Sequence, residues 1–326
     1  MTRFADELEA AFRPRENAVL DEDGVDPYLL RTSRWRRTSR GLYVPGDVEQ
    51  TATQRIVSAA ALMPPGGVIG GWAAARVHGA EFQDGLDERG AERAVDVLLP
   101  GGLHRLDVPG VAYRRASLGW GDTCLVNDFL VTTPVRTAVD LACWARSVTG
   151  ATVQLDLLLE AGLPLNDLRR AAPSRRRGSV QARSAIDLAR CGSRSPGETR
   201  LRLLYVREVG APAPLLNPTL LDRAGRFLAM PDLFDAEAGL AMEYDGASWA
   251  SERELGHRDR RQHREDNVRE EGMERHGIIV VRADAADLGP YRRQTSSRFQ
   301  QARLDGLGRD RRRDRWVVQR PTPGDR

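Results

Sequence analysis

Two acidic clusters flank a short apolar run in the segment MPDLFDAEAGLAMEYDG, residues 230–246. Asp232 and Asp235 come before the run, and Glu243 and Asp245 come at its end. Residues two apart on a β-strand project from the same face, so Glu243 and Asp245 point together, and a hairpin partner can bring Asp232 beside them. Three converging carboxylates suit a hard cation such as Mg²⁺, which can polarise a phosphate and lower the pKa of a bound water.

A simpler interpretation of these acids also stays open. Strand ends beside turns are often rich in Asp and Glu, because these side chains favour turn geometry. Asp235 lies in the expected turn and is interpreted as a turn former only. Glu198 also has two interpretations. It completes a capping box that begins at Ser195, and the same carboxylate at the start of a helix can point toward the edge of the sheet.

The pattern from Ser195 onward predicts a helix, three strands, a second helix and a last strand. The strands are expected in PLLNPTLL, RFLAMPD and LAMEYDG, and the apolar run GIIVVRA suits the interior of a sheet. A polar helix is expected from Glu254 to Met273. On it His263, Asp266 and Glu270 share one face, as they also would on an exposed helix crossed by salt bridges.

The basic residues are all arginine, because the chain has no lysine among its 49 cationic residues. Arginine offers forked donors that suit phosphates and guanine edges, although a GC-rich genome also produces this composition. Chemistry that needs a lysine amine is excluded. The arginines cluster: five lie without an acid between Pro27 and Gly46, and eight lie with one acid between Leu168 and Ser195. Such runs are typical of a phosphate-binding surface, and equally of a solvated charged face.

Residues 1–48 show the order of a winged helix, with short helices followed by a basic ribbon. The last helix is expected in DPYLLRTS, and the ribbon in WRRTSRGLYVP turns at Arg40 and Gly41. In a winged helix the last helix enters the major groove and the ribbon touches the backbone. A small structural cap with a basic hairpin is the alternative. The candidate DNA-binding residues are Arg31, Arg34, Arg36, Arg37 and Arg40.

The remaining boundaries follow from composition. Residues 49–163 predict a middle α/β unit, residues 164–194 a basic helical linker, and residues 306–326 a basic, disordered tail. Three separated cysteines without a CxxC motif support neither a disulfide framework nor a zinc site. No apolar run is long enough for a transmembrane helix, and the N-terminus lacks the apolar stretch of a secretory signal. A cytoplasmic protein without a membrane partner is expected.

A resemblance to a known family is carried by four runs: SPGETRLRLL, NPTLLDRAGRFLAMPDLFD, LAMEYDG and REDNVREEGMERHGIIVVR. They resemble an actinobacterial family of uncharacterised proteins with a domain related to the Vsr mismatch endonucleases. That domain has the PD-(D/E)XK restriction-endonuclease-like fold, and the matched region runs from Ser195 to Arg282. The resemblance implies an α/β/α domain with a mixed sheet over residues 195–305.

The resemblance also implies roles for single residues. Asp232 takes the place of the PD aspartate, Glu243 that of the second acid, and Asp245 occupies the lysine position. Glu198 takes the place of the helix glutamate. These residues form the implied catalytic set, and Asp232, Glu243 and Asp245 are the implied ligands of Mg²⁺ or Mn²⁺.

One histidine of the family pattern is missing. Family members carry it three or four residues beyond the DG pair, where it can act as a general base, but Trp249 and Ala250 stand there in this chain. His257 or His263 on the next helix can compensate, and His263 joins the implied catalytic set.

The N-terminal half has a resemblance of its own. The runs that carry it are RWRRTSRGLYVPG and VTTPVRTAVDLA, which resemble the winged-helix and following segments of AbiEi-type antitoxin proteins. The expected fold is therefore α+β and multidomain, with an N-terminal winged helix, an AbiEi-like middle region and a nuclease-like C-terminal domain. A Mg²⁺-dependent DNA endonuclease is one expected function. The alternatives are a catalytically inactive antitoxin-type transcriptional regulator with a cognate toxin, and a structural or protein-binding module whose acids are rim charges.

Overall fold

The computed structural model describes residues 3–87, 90–101, 108–246 and 269–319. The chain forms two compact units, residues 1–189 and residues 190–326. Both units combine helices with β-sheets, so the expected α+β class is confirmed in this general form. Among the described helices, none has the length and apolar character needed to cross a lipid bilayer.

The first unit opens with a small antiparallel sheet in the order β1–β3–β2. Its elements are α1 (Arg3–Glu9), β1 (Arg15–Glu16), α2 (Asn17–Glu22), β2 (Trp35–Ser39) and β3 (Leu42–Pro45). The helix expected in DPYLLRTS is wrong in extent, because only a 3₁₀ turn forms at Leu29–Arg31. The Thr32 hydroxyl donates to the Leu29 carbonyl at 2.7 Å, and this side-chain bond competes with continuation of the helix.

A five-stranded mixed sheet in the order β6–β5–β4–β8–β7 follows. Its strands are β4 (Val68–Ile69), β5 (Val95–Leu99), β6 (Val111–Arg115), β7 (Thr123–Val126) and β8 (Phe129–Thr132). The helices of this region are α3 (Ala52–Ala60), α4 (Gly71–Val77), α5 (Pro134–Trp144) and α6 (Val148–Glu160). Trp72 is fully buried in the core between this sheet and its helices, where its indole N–H donates to the Ala94 carbonyl at 2.9 Å.

Residues 164–189 belong to the core of the first unit, so the expectation that residues 164–194 form a linker is wrong. They contain α7 (Leu165–Arg170) and α8 (Ser179–Leu188). Ala182 and Ile186 are buried in one cluster with Leu158 of α6. The cause is the spacing of apolar residues on α8, which gives this helix one apolar face within a basic segment of the chain.

The second unit is built on a four-stranded mixed sheet in the order β14–β13–β12–β9. Only β13 and β14 are parallel neighbours; β12 runs antiparallel to β13 and to β9. The strands of the unit are β9 (Leu215–Leu216), β10 (Leu220–Asp222), β11 (Phe227–Ala229), β12 (Leu233–Asp235), β13 (Leu240–Tyr244), β14 (Ile279–Ala283) and β15 (Trp316–Val318). The helices are α9 (Pro196–Arg207), α10, described over residues 269–275, and α11 (Arg292–Leu307).

Two details of the second unit differ from expectation. Where two strands were expected before LAMEYDG, four short ones form, since Asn217 turns the chain at φ 44° after β9 and Pro231 follows β11. The expected disorder of residues 306–326 is wrong for its described part. There β15 pairs antiparallel with β10, and Trp316 packs edge to face on Phe234 with ring centroids 4.9 Å apart.

Candidate functional site

The β12–β13 hairpin places Asp232 beside the end of β13. Leu233 pairs with Met242, so Asp232, just before β12, lies across from the last residues of β13. An Oδ oxygen of Asp232 accepts a hydrogen bond from the backbone N–H of Tyr244 at 2.8 Å. Leu240 and Met242 are buried in the core that includes residues of α9 and α11. Glu243 projects from the opposite face of the strand, as the alternation predicts.

Three of the predicted acids line one small pocket of about 160 Å³ at this edge of the sheet. They are Asp232, Glu243 and Asp245, and Arg269 and Arg282 complete the polar wall. Glu243 is largely buried, whereas Asp245 is exposed. The backbone N–H of Asp245 continues the ladder to β14 by donating to the Ala283 carbonyl at 2.8 Å. The pocket is therefore anchored by strand pairing on both sides of β13.

The electrostatics of this pocket centre on Asp232. Burial, with a smaller contribution from the negative charges of Glu198 and Glu243, raises the pKa of its carboxyl to about 6, against the lowering effect of the Tyr244 N–H and Arg269. The carboxyl is therefore half ionised at about pH 6. A bound cation would favour the ionised form, because it would offset the neighbouring negative charges.

Glu198 caps the start of α9, and its carboxylate also lies close enough to the acidic pocket to act on Asp232. Its backbone N–H donates to the Ser195 hydroxyl at 3.1 Å, which caps α9, and its carboxylate accepts from the Arg194 N–H at 2.8 Å. The same carboxylate oxygen accepts from the Asn217 side-chain amide at 3.0 Å. The side chain is buried, and its charge still acts on Asp232. Glu198 is thus a structural cap whose field reaches the pocket.

Two arginines at the pocket had not been expected from the sequence. Arg269 donates to Glu243 at 3.3 Å, and a guanidinium nitrogen of Arg282 lies 3.4 Å from the same carboxylate oxygen. Arg282 also lies 3.1 Å from Glu270, yet neither of these two contacts of Arg282 has hydrogen-bond geometry. The signal that could have found Arg282 is register, because Glu243 and Arg282 are direct partners on parallel strands. That register cannot be read from β14 alone.

The chemistry of the pocket residues favours a metal ion, whereas their present arrangement does not. Carboxylate oxygens are the ligands that Mg²⁺ prefers, and a cation would offset the negative charges of Glu198 and Glu243, which add to the effect of burial on the pKa of Asp232. Within the described ranges, however, no three His, Cys, Asp or Glu side chains are already arranged around a common centre for a metal. The donor chemistry fits a hard divalent cation, and the position next to Glu243 is shared with guanidinium groups.

Asp235 does more than form the turn. Its carboxylate accepts from the backbone N–H groups of Glu237 and Ala238, as a turn former would, and also from the Tyr205 hydroxyl at 2.6 Å and from Arg303 at 3.1 Å. It is buried at the end of β12. Asp235 therefore ties the hairpin to α9 and α11, away from the acidic pocket.

The candidate DNA-binding arginines lie on the 3₁₀ turn, just before β2 and on the β2–β3 hairpin of the first unit. Arg36 is half-buried against the Gln50 side chain, and Arg37 donates to the Ser39 carbonyl at 3.0 Å. The exposed members are Arg31, Arg34, Arg37 and Arg40.

The residues proposed to replace the missing histidine, His257 and His263, lie outside the described residues, as do Trp249 and Ala250. No protein-family model, curated protein or solved structure matches the chain. The functional assignment therefore has to come from the geometry of the site.

Proposed function

We propose that this chain is a DNA-binding protein whose second unit hydrolyses phosphodiester bonds with a divalent cation. The observation that supports this function is the grouping of Asp232, Glu243 and Asp245 around one pocket at the end of β13. The mixed sheet, with β13 and β14 parallel and a helix on the chain between them, is consistent with the nuclease-like fold implied by the sequence resemblance.

In this proposal Asp232, Glu243 and Asp245 hold Mg²⁺ or Mn²⁺. When bound, the ion would polarise the scissile phosphate and lower the pKa of a water. Asp232 is held in place by the Tyr244 N–H, so its position depends on the backbone of β13. Glu198 keeps the potential at Asp232 negative, which favours cation binding. Arg269 and Arg282 can also contact a phosphate, because guanidinium groups match its geometry.

We propose DNA binding by a winged helix at residues 1–48. Its support is the order of elements, α1, β1, α2, a 3₁₀ turn, β2 and β3, with the sheet order β1–β3–β2. Because the turn at Leu29–Arg31 is too short to read a major groove, the arginine-bearing hairpin carries the contact in this proposal. Such contacts to phosphates give affinity without sequence information.

A second candidate function is a DNA-binding regulator of antitoxin type whose nuclease-like unit is inactive. The observation that favours it is the compensation of Glu243 by Arg269 and Arg282. In a regulator these arginines replace the cation, and the acids serve only the structure. A cognate toxin would be the partner of such a regulator.

A cleavage assay separates the two functions. Supercoiled plasmid and mismatched duplexes are incubated with the full chain in Mg²⁺ or Mn²⁺, and nicking is compared for wild type, Asp232→Asn and Glu243→Gln. Asp305→Asn is the matched control, since Asp305 is an exposed acid on α11 whose carboxylate accepts from the Gln301 side chain at 2.8 Å. If the chain is an endonuclease, only the wild type and Asp305→Asn should cleave the DNA. Equal background from all four proteins, with DNA binding retained, would favour the regulator.

A further inference from the structure

The first unit contains a basic cleft of about 840 Å³ beside the end of β6. Its arginines come from three places in the sequence: Arg114 and Arg115 from β6, Arg136 from α5, and Arg176 from the RRR run before α8. A neighbouring cavity of about 620 Å³ shares Arg136 and Arg176 and adds Arg175. Two of the eight arginines of the basic run between Leu168 and Ser195, Arg175 and Arg176, thus line a concave surface.

The floor of this cleft is held by one buried acid. Asp140 is fully buried on α5, accepts from Arg136 at 3.0 Å and pairs with Arg176. Because a buried carboxylate with two guanidinium partners is costly to disrupt, both arginines keep a fixed orientation. Their remaining N–H groups are therefore held at the cleft, and the two arginine side chains need not change rotamer to bind a ligand.

Two further arginines, one in the cleft and one in the neighbouring cavity, add positive charge that no ion pair among the described residues neutralises. In the part of the chain that the structure describes, the side chains of Arg115 and Arg175 have no hydrogen bond or ion pair, and both residues are exposed. Arg114 pairs with Asp96 at 2.6 Å, and its guanidinium lies 4.2 Å from the ring centroid of Trp144. Unpaired cations in a concave surface are suited to successive phosphates of a nucleic-acid strand.

An exposed aromatic ring stands on the loop that borders the cleft. Trp120 has a relative exposure of 107%, and it lines a further cavity of about 590 Å³ that shares Gly121 with the second one. The loop itself is anchored, since Arg136 donates to the Ser117 carbonyl at 3.0 Å and to Asp122 at 2.8 Å. Asp122 in turn accepts from the Gly119 N–H at 2.7 Å. The same arginine therefore fixes the cleft floor and the loop that carries the tryptophan.

We infer that this cleft and Trp120 form a binding site for single-stranded nucleic acid. Arg115, Arg175 and the fixed Arg136 and Arg176 take the phosphates, and an unpaired base stacks on the Trp120 indole. A duplex cannot use the tryptophan in this way, because its bases are already stacked and paired. The site lies wholly in the first unit and does not depend on the acidic pocket of the second.

The test measures binding of fluorescent oligo(dT) and oligo(U) to the full chain by anisotropy, in EDTA so that no cleavage occurs. Trp120→Ala should weaken binding on the order of 10-fold, and Trp120→Phe should retain most of it, because stacking on a ring persists. Arg115→Ala with Arg175→Ala should weaken binding and lower the slope of log affinity against log salt by about 0.7 for each lost phosphate contact. The two oligonucleotides distinguish DNA from RNA as the strand preferred.

The controls are an exposed apolar residue of the same sheet, Leu125→Ala, and an exposed arginine of the other unit, Arg207→Ala. Both should bind like wild type. A duplex of matched length should bind wild type and Trp120→Ala equally. Unchanged oligonucleotide affinity in Trp120→Ala, or an equal loss for the duplex, would overturn the inference.

Discussion

The carboxylate of Asp232 accepts the backbone N–H of Tyr244 at 2.8 Å, across the β12–β13 hairpin. The partner is part of a strand, so the position of the Asp232 side chain follows the backbone of β13. An asparagine can accept the same bond through its side-chain oxygen. Asp232→Asn therefore removes the charge and keeps the contact, which makes it the most informative single variant of this site.

Asp232→Asn should stabilise the protein at high pH in the absence of metal. The folded pKa of about 6 lies above the unfolded value of 3.8, so this group's contribution to stability is full below about pH 4 and is lost as pH rises through about 6. The variant avoids that loss and should gain on the order of 2 kcal/mol at about pH 8, with no gain near pH 4. Urea unfolding at both pH values measures the difference, with Asp305→Asn as control. An identical difference at both pH values would contradict the pKa.

Divalent cations should stabilise the wild-type chain at about pH 8, where Asp232 is ionised in the folded state. An ion present at 100 times its dissociation constant should raise the free energy of unfolding by about 2.7 kcal/mol. Asp232→Asn and Glu243→Gln should lose this gain, and Asp305→Asn should keep it. The measurement is a Mg²⁺ and Mn²⁺ titration of the unfolding free energy. A wild type that does not respond would leave the pocket without a metal role.

Gly197→Ala should displace Tyr244, which lines the acidic pocket. A Cβ at Gly197 would lie 2.0 Å from the Tyr244 ring, which packs against the start of α9, so the ring or the helix must shift. Such overpacking costs about 1–3 kcal/mol. Gly272→Ala is the control, since a Cβ there meets nothing within 4 Å and a helical Gly→Ala change gains about 0.5–1 kcal/mol. Opposite signs in thermal denaturation are expected, and two neutral variants would speak against this packing.

Tyr205→Phe should destabilise the second unit without touching the acidic pocket. The hydroxyl donates to the buried carboxylate of Asp235 at 2.6 Å, and burial followed by this carboxylate raises the pKa of Tyr205. Loss of a hydrogen bond to a charged group costs about 1.5–3 kcal/mol. Unfolding by denaturant checks the cost. Mg²⁺ affinity should be unchanged, and a parallel loss of metal binding would mean that the two sites are coupled.

Arg37→Ala and Arg40→Ala should weaken duplex DNA binding uniformly across sequences. Each lost phosphate contact should reduce the slope of log affinity against log salt by about 0.9. Both side chains are exposed on the β2–β3 hairpin, so folding should be unaffected. Fluorescence anisotropy over a range of salt concentrations measures the slope. A loss confined to one sequence would point to base contacts in place of phosphate contacts.

The sequence predicted the parts of the site that depend on local periodicity. Alternation in LAMEYDG placed Glu243 on the face opposite Met242, and the short apolar run predicted the hairpin that brings Asp232 alongside. The pairing of Glu243 with Arg282 could not be predicted, because the register between β13 and β14 is set by contacts distant in sequence.

The same limit explains why parts of the predicted fold were wrong. The apolar face of α8 was visible in the sequence, but its partner on α6 was not, and the segment therefore resembled a linker. Strand β15 is three residues long and follows an arginine-rich run, so only its pairing with β10 identifies it as a strand. The helix expected in DPYLLRTS stops at a 3₁₀ turn, where the Thr32 side chain donates to the Leu29 carbonyl and competes with continuation of the helix.

The pairing of β15 with β10 has a consequence for biosynthesis. Phe234 lies on β12, in the first half of the second unit, yet its aromatic partner Trp316 arrives only with β15. While the chain emerges from the ribosome, the apolar surface around Phe234 has to wait for residues made much later. A nascent chain that stalls before Trp316 would expose this surface and the free edge of β10, and such chains are the ones we expect chaperones and proteases to recognise.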